Sequence, residues 1–345
     1  MVEYFCYGEV DMTKMIIDAL GSDQGPDMVA KAIAKSLQTR DFEGVFVGPK
    51  ETFERYLSDY SSKMTLLETE EYIENSESPV HALRKKKSSA TVLGLNRLNE
   101  EDARVFLSAG STGALLAGGY FITKRLKGID RACLAATIPN PSGGCLLVDT
   151  GANMDCTPSY LLQFAILASS YAKKTLGKKD PKVGLLNIGL EEGKGDKRSL
   201  ETYDLLKESS LHFIGNVEAR DILDPHCDIL IADGFVGNTA LKVLEGVAKT
   251  FMNLIQSSIY QSTKTKIGGL LLKDSLKEKL GVYDYKAYGG APLLGLRKAI
   301  YKAHGNSTVD SFSLAISEAI DFAESFEPDE ITQGIEEIEN GKTRN

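Results

Sequence analysis

The sequence contains no C-x-x-C pair and only five cysteines, Cys6, Cys133, Cys145, Cys156 and Cys227. An odd, scattered set excludes a disulfide scaffold and a zinc ribbon, and reduced cytosol is the simplest compartment. Histidine is scarcer still: His81, His212, His226 and His304, none in an H-E-x-x-H pattern. Zincin chemistry therefore lacks its ligands, and no metal is expected. Positive charge is in deficit, since 40 Lys and Arg face 48 Asp and Glu for a net charge of −8. General affinity for nucleic acid is excluded, and any anionic partner must be met by a local patch. A secretory signal is missing as well: residues 1–14 are acidic, interrupted by Gly8 and read as an extension, so Asn306-Ser307-Thr308 is a chance sequon. No apolar run is long enough to span a bilayer. Residues 105–123 carry no charge and approach the ~20 residues a spanning helix needs. Ser108, Gly110, Ser111, Thr112 and Gly113 break that run, which reads as buried strand, turn and buried helix.

What is present describes a globular protein. Of 345 residues, 42% are hydrophobic and 26% charged, enough for a sizeable core. Short apolar runs at 14–21, 44–47, 104–108, 132–138, 145–149, 182–188, 211–215 and 229–232 each precede turn residues, and most lead into amphipathic stretches. That alternation predicts a largely parallel α/β sheet with helices layered on it. Residues 15–326 read as one large α/β domain. Its segment at about 240–285 reads as a helical protrusion, a long helix and then a lysine-rich stretch containing Ile267, Leu270, Leu271 and Leu272. An acidic tail follows at 327–345.

Standard cofactor and nucleophile templates fail. The only G-x-G is Gly193-Lys194-Gly195, with Arg198 where a dinucleotide fingerprint needs glycine, and the same stretch misses the P-loop spacing. No G-x-S-x-G elbow occurs, so no cofactor is expected and no activated serine. What remains is a set of glycine-bearing loops at strand ends, where α/β folds place their chemistry. Ser108-Ala109-Gly110-Ser111-Thr112-Gly113 has small side chains and free N–H groups that suit a phosphate, or it is a tight turn capped by Ser111 or Thr112. The others are Asn187-Ile188-Gly189 with Glu191, Glu192 and Lys194; Asp233 to Asn238 with Lys242 one turn on; Gly289 to Gly295; and Lys302-Ala303-His304-Gly305.

In this order, and with Asp18-Ala19-Leu20-Gly21-Ser22-Asp23, Pro79 to Ser89, Gly128-Ile129-Asp130-Arg131, Asp149-Thr150-Gly151-Ala152-Asn153, Gly215-Asn216-Val217-Glu218 and Tyr288 to Gly295, these segments resemble the bacterial acyl carrier protein:phosphate acyltransferase family, PlsX. The resemblance runs from about residue 15 to 322. It implies a three-layer α/β/α fold related to isocitrate and isopropylmalate dehydrogenases and to phosphotransacetylase, and a homodimer. It also implies an enzyme that makes acyl phosphate from long-chain acyl carrier protein and inorganic phosphate, feeding a membrane glycerol-3-phosphate acyltransferase in phospholipid biosynthesis. The first loop departs from the family's usual D-A-M-G-G-D-H-A-P: it keeps Asp18, Gly21, Asp23 and Pro26 but has Leu20, Ser22, Gln24 and Gly25. Its histidine is lost, which leaves His304 as the motif histidine near a strand end. Ser111 stands in place of the usual Asn.

Residue chemistry then sets the expected roles. Backbone N–H groups of Gly110, Ser111, Thr112 and Gly113 hold phosphate with Lys194 or Lys242 as countercharge, while Asn216, Asn238 or His304 serves the oxyanion or the departing sulfur. Arg84-Lys85-Lys86-Lys87 is the densest positive charge and docks the acidic carrier protein, or is a solvated helix end. Ile267 and Leu270 to Leu272 insert shallowly into a membrane surface, giving a cytoplasmic, peripherally attached protein, or they pack across a dimer. A dehydrogenase of the related fold and a catalytically silent scaffold are the competing readings.

Overall fold

The computed structural model describes residues 12–100, 102–141, 143–223, 226–281, 288–332 and 335. Most of the expected N-terminal extension and acidic tail, and the end of the protrusion, lie outside them. In chain order the elements are β1 (Lys14–Asp18), α1 (Pro26–Ser36), β2 (Glu43–Gly48), α2 (Lys50–Tyr56), β3 (Met64–Glu68), α3 (Pro79–Lys85), α4 (Ala90–Glu100), β4 (Val105–Ser108) and α5 (Thr112–Gly118). Then come β5 (Cys133–Ile138), β6 (Cys145–Val148), α6 (Pro158–Lys174), β7 (Lys182–Asn187), α7 (Lys197–Glu208), β8 (His212–Glu218), β9 (Ile229–Ile231), α8 (Gly234–Tyr260) and α9 (Thr263–Gly281). The chain closes with β10 (Gly290–Leu294), β11 (Ala299–Ala303) and α10 (Val309–Glu324).

The chain divides into two compact units, the first formed by residues 1–123 and 298–324, the second by residues 124–297 and 325–345. In the first, strands run β3-β2-β1-β4-β11, every pairing parallel. In the second the order is β10-β5-β6-β9-β7-β8; β6, β9, β7 and β8 are parallel, and β5 is antiparallel to both β6 and β10. The expected largely parallel α/β sheet is borne out. Its central strands are buried on both faces, β4 and β6 completely, which is why they read as apolar runs rather than as alternating patterns.

Helix ends follow local chemistry. Pro26 starts α1, Asp27 sits in its first turn and Lys35 in its last, while Met28, Val29, Ala32 and Ile33 face the core. Residues 105–123 are a strand followed by helix, as the interrupted apolar run predicts. Two of the glycine loops prove to be regular structure. Gly290–Leu294 forms strand β10, its residues all buried and Leu293 and Leu294 paired with β5. Asp233 N-caps α8, accepting the Phe235 and Val236 N–H groups at 2.9 and 3.0 Å, so Gly234 to Asn238 is the helix's first turn.

Candidate functional site

In the first unit β1, β4 and β11 are parallel neighbours, so their carboxyl ends lie on one side of the sheet. Those ends carry Asp18, the 108–113 loop and His304. Asp18 is buried: Oδ1 accepts the Leu20 N–H at 3.0 Å, and Oδ2 accepts the hydroxyls of Ser108 at 2.9 Å and Thr91 at 3.0 Å. Burial holds its carboxyl above the ordinary range against these bonds and the nearby Lys302. Ser108 Oγ in turn accepts the Gly110 N–H at 2.9 Å. Gly21 packs directly on this loop, since a Cβ there would lie 2.2 Å from the Gly110 Cα. Lys302 Nζ donates to the Ala109 carbonyl at 3.1 Å, and the Asp23 N–H to the Gly305 carbonyl at 2.8 Å. Ser111 caps α5, its Oγ accepting the Ala114 N–H at 3.4 Å. Gly110 and Ser111 are buried, Thr112 and Gly113 half-buried, and Gly113 lies beneath Pro79. His304 is half-buried, its carbonyl bonded by Ser307, and the Asp23 side chain is exposed.

The basic patch is smaller than its sequence. Lys86 pairs with Glu77 and donates to the Tyr72 carbonyl, an interaction that holds the Glu77 carboxyl below its ordinary range. Arg84, Lys85 and Lys87 are exposed.

In the second unit β6, β9 and β7 are adjacent and parallel, and the loops at their carboxyl ends are tied together. Asp149, after β6, accepts the Leu134 and Ala152 N–H groups on Oδ1 and the Asn153 N–H and Nδ2 on Oδ2, at 2.6 to 3.1 Å. Burial raises its carboxyl despite them. Gly237 presses on this loop: a Cβ there would lie 2.0 Å from the Asp149 carbonyl oxygen. The Gly234 N–H donates to the Asn153 carbonyl at 2.8 Å, and Arg198 bonds buried Asp233 at 2.8 Å, joining the first turn of α7 to the N-cap of α8. Asn238 lies against Gly151. The loop after β7 exposes Lys194, and among the described residues no partner engages its ammonium. Lys242 is exposed and pairs with Glu245 at 2.7 Å. Asn216 is buried on β8, its Nδ2 bonded to the Glu191 carbonyl and its Oδ1 to Asn187.

On α9, Ile267, Leu270, Leu271 and Leu272 are 58%, 72%, 81% and 56% exposed. A second stripe that the sequence reading missed runs along α8: Val243, Val247, Phe251 and Leu254, 47% to 61% exposed. Their spacing of three to four residues is a legible signal of one helix face. Also missed was Arg198, which sequence presents only as an intruder in a glycine pattern. Among the described residues no helix is long and apolar enough to cross a membrane.

The family model for fatty acid synthesis protein matches residues 13–327. The chain belongs to this family. It is the PlsX family that the loop motifs resemble, and its curated members place the chain among the acyltransferases. The phosphate acyltransferase of Clostridioides difficile (strain 630) is 44% identical over 326 residues, 93% of this chain and 96% of that protein. That of Caldicellulosiruptor saccharolyticus is 45% identical over 316 residues, 90% of this chain and 95% of that protein. Among solved structures, a phosphotransacetylase from Streptococcus pyogenes aligns with a TM-score of 0.59 at 18% identity, covering 90% of this chain and 94% of that one. A 4-hydroxythreonine-4-phosphate dehydrogenase from Klebsiella pneumoniae aligns at 0.52 and 12% identity, covering 92% and 99%. At such identities these structural neighbours attest the fold alone, and the expected fold class is borne out.

Proposed function

We propose that the protein transfers the acyl group of a long-chain acyl carrier protein to inorganic phosphate, releasing acyl phosphate and free carrier protein. The family match over residues 13–327 carries this reading, because it spans every strand-tip loop from Asp18 to Gly305. In the reaction a phosphate oxygen attacks the thioester carbonyl, the C–S bond breaks, and sulfur leaves with the electron pair and takes up a proton. No enzyme nucleophile is consumed, so the protein's part is positioning and charge stabilisation.

Phosphate is assigned to the N–H groups of Ser111, Thr112 and Gly113; that of Gly110 is engaged by Ser108. The countercharge is assigned to Lys194 in preference to Lys242, which already faces Glu245. Asn238 and His304 are assigned to the oxyanion or the departing sulfur. Arg84, Lys85 and Lys87 are the docking cations for the acidic carrier protein, Lys86 being engaged by Glu77. The same reading includes a homodimer, shallow membrane contact through Ile267 and Leu270 to Leu272, and delivery of the product to a membrane glycerol-3-phosphate acyltransferase in phospholipid synthesis. Flotation with anionic vesicles tests the contact: Leu271→Glu should abolish it while the dimer survives.

The deciding assay is release of carrier thiol from palmitoyl carrier protein with and without phosphate. Phosphate-dependent release is expected; no release at any phosphate concentration would identify a silent scaffold instead.

A further inference from the structure

We infer that Asn187 and Asn216 form an amide clamp that positions Lys194, both acting on the reaction through this lysine; the inference rests on the assignment of Lys194 as countercharge. Asn187 ends β7 and Asn216 lies on the neighbouring β8, and the two side chains are 9% and 7% exposed. Asn187 Nδ2 donates to the Lys194 carbonyl and to Asn216 Oδ1, each at 3.0 Å, and Asn187 Oδ1 accepts the Ile188 N–H at 2.8 Å. Asn216 Nδ2 donates to the Glu191 carbonyl at 2.8 Å, the same oxygen that accepts the Lys194 N–H at 3.1 Å.

This bonding fixes which way each amide faces. A flipped Asn187 would set its NH2 against the Ile188 N–H and its oxygen against two other oxygens, leaving buried groups unsatisfied. Gly195 completes the clamp: its φ is 100°, and a Cβ there would lie 2.7 Å from Asn187 Oδ1. Just beyond, Asp196 caps α7 by accepting the Ser199 N–H at 2.8 Å, and Arg198 is tied to Asp233 at 2.8 Å. The backbone of Lys194 is thus held on both sides, while its exposed ammonium meets no polar partner among the described residues. A fixed stem under an unengaged cation is the arrangement of a preorganised charge, because less freedom remains to be lost when an anion arrives. As a direct oxyanion donor, Asn216 would have to leave the Glu191 carbonyl or use its second N–H.

A double-mutant cycle separates these roles, with thiol release from palmitoyl carrier protein as the readout and the thermal midpoint followed alongside. Asn216→Ala should lower kcat/KM about tenfold in the wild-type background and less than about twofold in a Lys194→Ala background. Asn216→Asp, which keeps the acceptor for Asn187 but loses the donor to Glu191, should show the same non-additivity if the alanine variant folds poorly. Multiplicative effects would overturn the clamp, as Asn216 would then touch the reactants itself, and so would an Asn216→Ala variant of unchanged activity. Lys194→Ala at the wild-type rate overturns the lysine's role and the clamp together. A wild-type protein without phosphate-dependent release overturns the proposed function, and the clamp with it.

Discussion

The strand-tip clusters of the two units are made of similar parts and use them differently. In the first unit polar side chains turn inward: Asp18 gathers two hydroxyls and a backbone N–H, and Ser108 passes that order on to Gly110. What is left there is loop backbone together with the exposed Asp23 and the half-buried Thr112 and His304 side chains. In the second unit two buried carboxylates, Asp149 and Asp233, and the Asn187–Asn216 pair likewise hold the loops, but one of those loops presents a charged side chain, Lys194. A backbone site recognises the shape and hydrogen-bonding capacity of an anion, whereas a lysine on a fixed stem supplies net charge.

The comparison breaks most sharply at Lys194. Lys194→Ala should lower kcat/KM roughly a hundred- to a thousandfold with the thermal midpoint unchanged, because the side chain is exposed and its ammonium bonds no group among the described residues. Gly21→Val should do the reverse, acting on the scaffold first. With a Cβ only 2.2 Å from the Gly110 Cα, the backbone must move; unfolding in urea should show a loss of about 3 kcal/mol. Activity should fall with it as the 108–113 loop shifts.

A subtler contrast lies in pH. Burial raises the folded-state pKa of Asp18 above its unfolded value. The folded protein then binds the proton more tightly, so its stability falls as pH rises from about 4 through the raised value and stays lower above it. Asp149, raised in the same way, adds to that slope, so Asp18→Asn should lessen the fall in urea midpoint between pH 4 and 7 without abolishing it. The smallest effect is expected at the rim. Arg84→Glu with Lys85→Glu should raise the KM for acyl carrier protein about fivefold and weaken its salt dependence, leaving kcat unchanged. Unaltered salt dependence would return the patch to a solvated helix end.

How much of this was legible varies with the range of the signal. Strands such as Val105–Ser108 and Cys145–Val148 announce themselves as short apolar runs because both faces are covered. Gly290–Leu294 does not. Its Gly-Ala-Pro start reads as a loop, and only antiparallel pairing with β5 makes it a strand. The stretch after Asp233 reads as a loop for a related reason: its glycines are there so that α8 can approach the Asp149 loop, not to bend the chain. Motif order identified the family, since ten short segments in sequence are far more specific than any one of them. Which residues in those motifs are already engaged was not legible. Lys86 faces Glu77, nine positions away, and Asn216 bonds Glu191 and Asn187, 25 and 29 positions away.

The sequence alone determined the α/β alternation, the strand-end placement of the glycine-bearing loops and the family, because these depend on local periodicity, turn chemistry and motif order. Tertiary structure alone decided which polar groups are used up in holding loops and which stay available to a substrate. Hydrogen bonds and ion pairs form between residues that only folding brings within about 3 Å, and no pattern along the chain specifies that partnership.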